Sequence, residues 1–211
     1  MEQIFRPTMM LSDPTIVDLA AATYDAAADW DYLYQTDNVY CGVKNIGGFA
    51  VAAFRGSITP LDWLHDLEAV PFSTLDIGMV HSGFYRGIPD AISAIMPNLK
   101  FPLIATGHSL GAAHAALFGG VLTARGVPVS RIVLCGCPRP GFAALASILS
   151  GTPKASYKNR FDPVTDVPTD PPFEHIDIFK MVNVEPPTDD IDLLADHAIF
   201  RYQQGVRMVW A

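Results

Sequence analysis

Basic residues are scarce in this sequence. It has 14 Lys and Arg residues against 22 Asp and Glu, a formal net charge of −8, and no run of basic residues. Binding to nucleic-acid phosphates or to an anionic membrane surface needs clustered positive charge. We therefore expect no nucleic-acid partner. An uncharged lipid surface, approached through apolar side chains, stays compatible with this composition.

Cysteine is also scarce. The chain has three cysteines, an odd number without Cys-X-X-Cys spacing, which suits neither a disulfide framework nor a zinc site. We expect them to be small buried hydrophobic residues. A metal site at His65, Asp66 and His81 is the less favoured alternative, because their spacing matches no dedicated motif. The cysteines are Cys41, Cys135 and Cys137.

No segment has the pattern of a signal peptide or a membrane span. Residues 1–7 lack a positive region followed by an apolar stretch. The apolar run from 103 to 121 is interrupted by His108, Ser109 and His114. We therefore expect no transmembrane segment and, by default, a cytoplasmic protein.

The order of apolar segments predicts the fold class. Half of the 211 residues are apolar, and neither repeats nor low-complexity stretches occur, so we expect a single domain over residues 1–211. From residue 101 onward, β-prone segments alternate with helical ones, which predicts an α/β fold with a mostly parallel sheet and helices on both faces. The alternating segments are 101–106, 109–124, 131–135, 142–149 and 156–160.

Other parts of the chain carry weaker signals. Ser12 precedes Asp-Pro and an Ala-rich stretch, which indicates the start of a helix. Two short β-prone runs predict a hairpin or two neighbouring strands over 39–54. We further expect a helix over 88–99, a strand over 176–184 and a helix over 190–201.

A candidate nucleophile lies between a predicted strand and a predicted helix. Residues 107–111 are Gly-His-Ser-Leu-Gly, and this strand-turn-helix setting is that of the nucleophile elbow of α/β-hydrolases. The glycines leave room for strand and helix to approach each other around a strained serine. The helix N-terminus favours the negative charge that develops during acyl transfer. We therefore predict Ser109 as the nucleophile and the Leu110 N–H as an oxyanion donor.

Chain order limits the choice of acid and base, because both follow the nucleophile in this fold. No Asp or Glu lies between Leu110 and Phe161, so Asp162, directly after a predicted strand, is the first candidate acid. Only His175 and His197 follow it. Order alone favours His197 as the base and leaves His175 as the alternative.

A second oxyanion donor is expected from a loop after an early strand. Ser57 is the candidate, because a β-prone run ends in Phe-Arg-Gly just before it. An ordinary Gly-Ser turn is the alternative reading of this segment. We expect His108 to support the elbow and His114 to pack against the sheet or face solvent.

The sequence resembles the class 3 lipases, the α/β-hydrolases that include fungal triacylglycerol lipases and feruloyl esterases. The likeness covers most of the chain from about Val51 onward and rests on the order of several motifs. These motifs are Phe54-Arg55-Gly56-Ser57, Asp62-Trp63-Leu64-His65-Asp66-Leu67, Val80-His81-Ser82-Gly83-Phe84, Gly107-His108-Ser109-Leu110-Gly111, Pro138-Arg139-Pro140-Gly141, Asp162-Pro163-Val164 and Asp196-His197.

The resemblance implies Ser109 as nucleophile, Asp162 as acid and His197 as base, with Ser57 and Leu110 forming the oxyanion hole. It also implies that the histidine at position 175 is not catalytic.

Two features depart from the family pattern. The family usually has a tyrosine three residues after the catalytic histidine, where this chain has Phe200. There is also little room between Ser57 and Asp66 for a long lid. We name as candidate lid or acyl-pocket residues Ile58, Leu61, Trp63, Leu64, Phe84 and Tyr85. Core packing is the alternative for the aromatic members.

The expected activity is hydrolysis of a neutral carboxylic ester or lipid through an acyl-enzyme, without a cofactor. The neutral-to-acidic composition and the apolar segment after Ser57 favour a triacylglycerol lipase. A short-chain carboxylesterase, a phospholipase and a feruloyl esterase are alternatives. An acyltransferase and a non-catalytic binding protein are alternatives from other classes. Since most relatives of this kind are exported, secretion is an alternative to the cytoplasm.

Overall fold

The computed structural model describes residues 10–59, 69–169, 171–185 and 194–211. Nine strands and six α-helices lie within these residues. The strands are β1 (Tyr32–Gln35), β2 (Tyr40–Ile46), β3 (Phe49–Phe54), β4 (Pro71–Thr74), β5 (Gly78–His81), β6 (Leu103–His108), β7 (Val129–Cys135), β8 (Lys154–Lys158) and β9 (Phe179–Met181). The helices are α1 (Asp13–Ala22), α2 (Ser82–Tyr85), α3 (Ile88–Ile95), α4 (Leu110–Ala124), α5 (Ala143–Ile148) and α6 (Ile199–Trp210).

The central sheet has the order β1-β2-β3-β6-β7-β8-β9. Its first three strands pair antiparallel, and the pairs from β3 to β9 are parallel. Strands β2 and β3 form the expected hairpin, closed by Gly47 and Gly48, whose φ angles of 58° and 84° require residues that tolerate the left-handed region. The predicted mostly parallel sheet of an α/β fold is confirmed.

Both faces of this sheet are covered, which explains why its central strand β3 is apolar and buried throughout. On β3, Ala52 and Phe54 belong to the core cluster that includes α4, whereas Val51 belongs to a second cluster with residues of α1 and α6. Strands β6 and β7 divide their side chains between the two clusters in the same alternating way. Helix α4 is buried almost all round, as a helix without a polar face must be.

The C-terminal part differs from the sequence-based expectation. The strand expected over 176–184 is confined to β9. The prediction of a helix over 190–201 is wrong for its described residues, because 195–197 form a 3₁₀ turn and α6 begins only at Ile199. The extended backbone of Ala198, with ψ 129°, separates the two. Residues 190–193 lie outside the described residues.

Three strands were not anticipated. Strand β1 has only four residues and alternates between partly buried and exposed positions, and β4 is mostly exposed, so neither carries the apolar signal of a buried strand. Strand β5 is equally short. No helix among the described residues is long and apolar enough to cross a membrane.

Candidate active site

Ser109 occupies a strained turn between β6 and α4. Its φ of 60° and ψ of −133° are rare for a residue with a side chain, and its N–H donates to the Cys135 carbonyl at 3.0 Å. A Cβ at Gly107 would lie 2.2 Å from the Gly111 oxygen, and one at Gly111 would lie 2.2 Å from the Phe54 oxygen. The two glycines therefore permit the close contact between strand and helix on which the turn depends.

The predicted acid and base are in direct contact. His197 Nδ1 lies 2.7 Å from Asp162 Oδ2, and both side chains are buried. A carboxylate can only accept, so Nδ1 carries the hydrogen and Nε2 is the basic nitrogen. Burial acts to raise the pKa of Asp162, but the hydrogen bond and charge of His197, with donors from Tyr202 and Val164, outweigh it and lower that pKa. The carboxylate is therefore charged at neutral pH.

Tyr202 is a member of the site that sequence reasoning missed. Its buried hydroxyl donates to Asp162 Oδ2. Burial, and then the negative charge of Asp162, raise the pKa of Tyr202 well above its ordinary value, so the hydroxyl keeps its hydrogen. Phe200, at the position where the family usually has tyrosine, is exposed. In this chain the hydroxyl that contacts Asp162 belongs to Tyr202, two residues beyond Phe200 in the first turn of α6.

Asn159, also missed, ties the loops of the acid and the base together. Its side-chain amide donates to the carbonyl oxygens of Val184 (3.2 Å) and Asp196 (3.0 Å), and its Oδ1 accepts from the Val184 N–H (2.7 Å). Its own carbonyl accepts from the Asp162 N–H at 3.0 Å. A fully bonded buried amide of this kind fixes the backbone on both sides of the His197–Asp162 pair.

Two polar atoms of the site have no hydrogen-bond partner among the described residues. They are Ser109 Oγ and His197 Nε2, and both are buried. Unpartnered polar atoms at the predicted nucleophile and base leave both groups free to contact a substrate. Gly136 lies near both residues. The carbonyl of the preceding residue, Cys135, accepts from the Ser109 N–H, and a Cβ on Gly136 would lie 3.0 Å from the His197 ring.

The predicted oxyanion loop passes directly against the serine. A Cβ at Gly56 would lie 2.8 Å from Ser109 Cβ, which places the following residue, Ser57, beside the elbow. Leu110 is the first residue of α4, where an N–H has no partner within the helix. Ser57 and Leu110 line one cavity of about 300 Å³. Its other lining residues are Thr36, Asp37, Asn38, Val39, Tyr40, Arg55, Gly56, Ile58 and Thr59.

The candidate lid and acyl-pocket residues lie in different environments. Ile58 is exposed at the rim of this cavity. Phe84 is fully buried in the core, where its ring stacks on His81, which favours the packing alternative. Tyr85 is partly buried against Phe72. Three candidates lie outside the described residues: Leu61, Trp63 and Leu64.

Two further histidines of the described residues, His175 and His114, lie outside the contacts of the acid. The ring of His175 packs against Phe179, and burial followed by the charge of Arg139 lowers its pKa to about 4. His114 is buried beside Phe54, and burial lowers its pKa to about 4. In the described ranges, no group of three or more His, Cys, Asp or Glu side chains could hold a metal ion. The three cysteines are free and buried, as expected.

The sheet order and the serine turn between β6 and α4 are those of the α/β-hydrolase fold. Within that fold, the chain belongs to the class 3 lipases, because the family model "Lipase (class 3)" matches residues 51–171. The secreted mono- and diacylglycerol lipase A of Penicillium cyclopium is 29% identical over 140 residues, which are 61% of this chain and 46% of that protein. The chain thus spans about half the length of the curated relatives it matches.

Solved structures show the same fold. A crystal structure of a mutant form of MDLA from Penicillium cyclopium has a TM-score of 0.68 and 23% identity, covering 82% of this chain and 80% of that chain. The lipase from Rhizopus microsporus var. chinensis has a TM-score of 0.71 and 21% identity, covering 87% and 82%.

Proposed function

We propose that this chain is a serine ester hydrolase that cleaves acylglycerols, with Ser109 as nucleophile. The observation that carries the proposal is the pair of unpartnered buried atoms, Ser109 Oγ and His197 Nε2, beside a hydrogen-bonded His197–Asp162 pair. The two atoms are not hydrogen-bonded to each other in this structure, and a catalytic serine and its base often come into hydrogen-bond distance only when substrate is bound. Membership in the class 3 lipases supports the same activity.

The reaction begins when His197 Nε2 takes the proton of Ser109 Oγ as this oxygen attacks the ester carbonyl. The charged Asp162 stabilises the imidazolium that forms. The N–H groups of Ser57 and Leu110 hold the negative carbonyl oxygen, as proposed oxyanion donors. The carbon–oxygen bond to the alcohol then breaks, and the imidazolium gives its proton to the leaving oxygen. Water, deprotonated by His197, then attacks the acyl-enzyme carbonyl. The bond to Ser109 Oγ breaks, and this oxygen takes back the proton from His197.

The cavity beside the proposed oxyanion donors bears on the substrate. Thr36, Asp37 and Asn38 contribute polar groups to its lining, and such groups suit free hydroxyls better than an acyl chain. This favours mono- and diacylglycerols as a second candidate beside the triacylglycerols expected from the sequence. The Penicillium relative is named as a mono- and diacylglycerol lipase, which agrees with this choice. Hydrolysis rates on matched tri-, di- and monoacylglycerols distinguish the two candidates.

The location of the protein is a separate proposal. The Penicillium relative is named as secreted, and this favours export over the cytoplasmic expectation. Activity assayed separately in the medium and in the cells of a producing culture tests it.

The test of the proposed activity is Ser109→Ala, with Ser93→Ala on helix α3 as the matched control. We expect Ser109→Ala to lose at least about 10⁴-fold in turnover of a chromogenic ester while its thermal unfolding stays cooperative. Ser93→Ala should keep its turnover, because the exposed Ser93 hydroxyl donates to the Pro89 carbonyl of its own helix and lies outside the proposed site. An organophosphonate should label the unaltered protein and not Ser109→Ala. Turnover retained by Ser109→Ala contradicts the proposal.

A further inference from the structure

The hydroxyl of Tyr24 stands between the oxyanion loop and the elbow. It accepts a hydrogen bond from the Gly56 N–H at 3.1 Å and lies 2.8 Å from His108 Nδ1. The other ring nitrogen of His108, Nε2, lies 2.7 Å from the carbonyl oxygen of His197. A chain of three hydrogen bonds therefore runs from the residue before Ser57 to the main chain of the proposed base.

The direction of each bond in this chain is determined. A carbonyl oxygen can only accept, so His108 Nε2 carries the hydrogen and Nδ1 is left as an acceptor. The Tyr24 hydroxyl must then donate to Nδ1, which leaves its oxygen to accept from Gly56. All donors point the same way, and such chains polarise one another.

Burial keeps the side chains of His108 and Tyr24 neutral, as this chain of hydrogen bonds requires. Burial, and then the charge of His197, lower the pKa of His108 to about 3. Burial raises the pKa of Tyr24 above its ordinary value. His108 is therefore a neutral imidazole and Tyr24 a neutral phenol at every pH at which an ester hydrolase normally works.

Packing reinforces the hydrogen bonds at both ends. A Cβ on Gly56 would lie 2.5 Å from the Tyr24 hydroxyl oxygen, so the hydroxyl rests directly on the backbone of the loop. The His108 ring stacks on the His197 ring, with centroids 4.5 Å apart and an interplanar angle of 29°. A movement of Tyr24 would therefore displace the loop before Ser57 and, through His108, the imidazole of His197.

We propose that Tyr24 and His108 are positioning residues that hold the Ser57 loop and His197 at a fixed separation, so that oxyanion donor and base reach one ester carbonyl together. This inference rests on the proposed function. Because the oxyanion exists only after attack, a misplaced donor weakens binding of the transition state and leaves binding of the substrate unchanged. Loss of the pair should therefore lower kcat and leave KM unchanged.

The test compares Tyr24→Phe with Tyr157→Phe. The Tyr157 hydroxyl is also buried and donates to Asp13 Oδ2 at 2.6 Å, in contacts that involve none of the proposed site residues. We expect Tyr24→Phe to lower kcat on a chromogenic ester by roughly 10- to 100-fold with KM changed less than about threefold. Tyr157→Phe, with a comparable loss of stability, should keep its kcat. Equal kcat values in the two variants overturn the inference.

Substitutions of His108 give a second, independent readout. The amide of His108→Gln can accept from Tyr24 and donate to the His197 carbonyl, whereas His108→Leu can do neither. We expect higher kcat in the Gln variant than in the Leu variant, and no further loss when Tyr24→Phe is added to His108→Leu, because both cut the same chain. Equal kcat in the Gln and Leu variants, or fully additive losses, overturn the inference.

The two proposals fail differently. An unaltered protein without ester turnover overturns the proposed function and this inference with it. Turnover that depends on Ser109 but is insensitive to Tyr24 and His108 overturns the inference alone.

Discussion

Tyr202 donates its hydroxyl hydrogen to Oδ2 of Asp162, the same carboxylate oxygen that accepts from His197 Nδ1. The other oxygen, Oδ1, accepts from the Val164 N–H at 2.9 Å. Three donors, from Tyr202, His197 and Val164, therefore fix the orientation of the Asp162 carboxylate, and the carboxylate in turn orients the imidazole. Removing one donor from a buried charge is destabilising, because the charge is then less fully compensated.

Removing the Tyr202 hydroxyl should affect both stability and activity. We expect Tyr202→Phe to lower the free energy of unfolding by about 1–3 kcal/mol, because a charged buried acceptor loses a donor. We also expect kcat to fall about tenfold, since the imidazole loses part of its support. Chemical denaturation and ester turnover measure the two effects.

The double variant Phe200→Tyr/Tyr202→Phe tests where the hydroxyl must come from. Position 200 is exposed, so a tyrosine there should not restore kcat. Recovery of activity in the double variant contradicts the geometry described for α6.

Replacing the proposed acid by its amide should leave the fold and remove most of the activity. Asp162→Asn can present its NH₂ group to His197 and stabilise the wrong tautomer, and the expected loss in kcat is about 10⁴-fold. Asp166→Asn is the control, because that carboxylate is mostly exposed and pairs with Lys158. Equal activity of the two variants contradicts the role proposed for Asp162.

Gly136 and Gly126 form a matched pair of glycines with left-handed backbones, with φ of 57° and 74°. A Cβ on Gly136 would lie 2.8 Å from Asp162 Oδ2, whereas a Cβ on Gly126 meets nothing within 4 Å. Both Ala variants should lose about 1 kcal/mol of stability from backbone strain. Only Gly136→Ala should also lose turnover, because it displaces the acid and the base. Unchanged turnover in Gly136→Ala would show that the pair tolerates this displacement.

The buried His114 should make the protein sensitive to acid. Its folded pKa of about 4 lies below the ordinary value of 6.5, so the unfolded chain binds more protons between pH 4 and 6.5. Stability is fully present above pH 6.5 and falls as the pH is lowered through this window, by up to about 3 kcal/mol at pH 4.

The variant His114→Leu removes this group and isolates its effect. The melting temperature of the unaltered protein should fall more between pH 7 and pH 4.5 than that of His114→Leu. The lowered pKa values of His175, His108 and Asp162 add further losses at low pH, and both proteins share them. Parallel pH profiles for the two proteins would contradict a titrating His114.

The sequence predicted those parts of the fold that depend on residues adjacent in the chain. The run from β6 through the elbow into α4 was predictable because an apolar strand, two glycines and an Ala-rich helix are adjacent in sequence. Chain order selected Asp162 and favoured His197 over His175, and the family resemblance then pointed to His197. The structure brings Asp162 and His197 into contact.

The supporting groups could not be found in this way. Tyr202 lies 40 residues from Asp162, and Tyr24 lies 84 residues from His108. No spacing rule relates residues that meet only after the sheet has formed. The error over 190–201 hid Tyr202 as well, because the true start of α6 at Ile199 decides which side chains of its first turn face inward.

The parallel pairing of β3, β6, β7 and β8 has a consequence for how activity is acquired. The hydrogen-bonded chain through His108 joins partners 84 and 89 residues away, so its members meet only when distant segments have paired. Contacts of such long range form late in folding, after local helices. Recovered turnover is therefore a stricter measure of refolding than recovered helix content, and we expect it to be regained last.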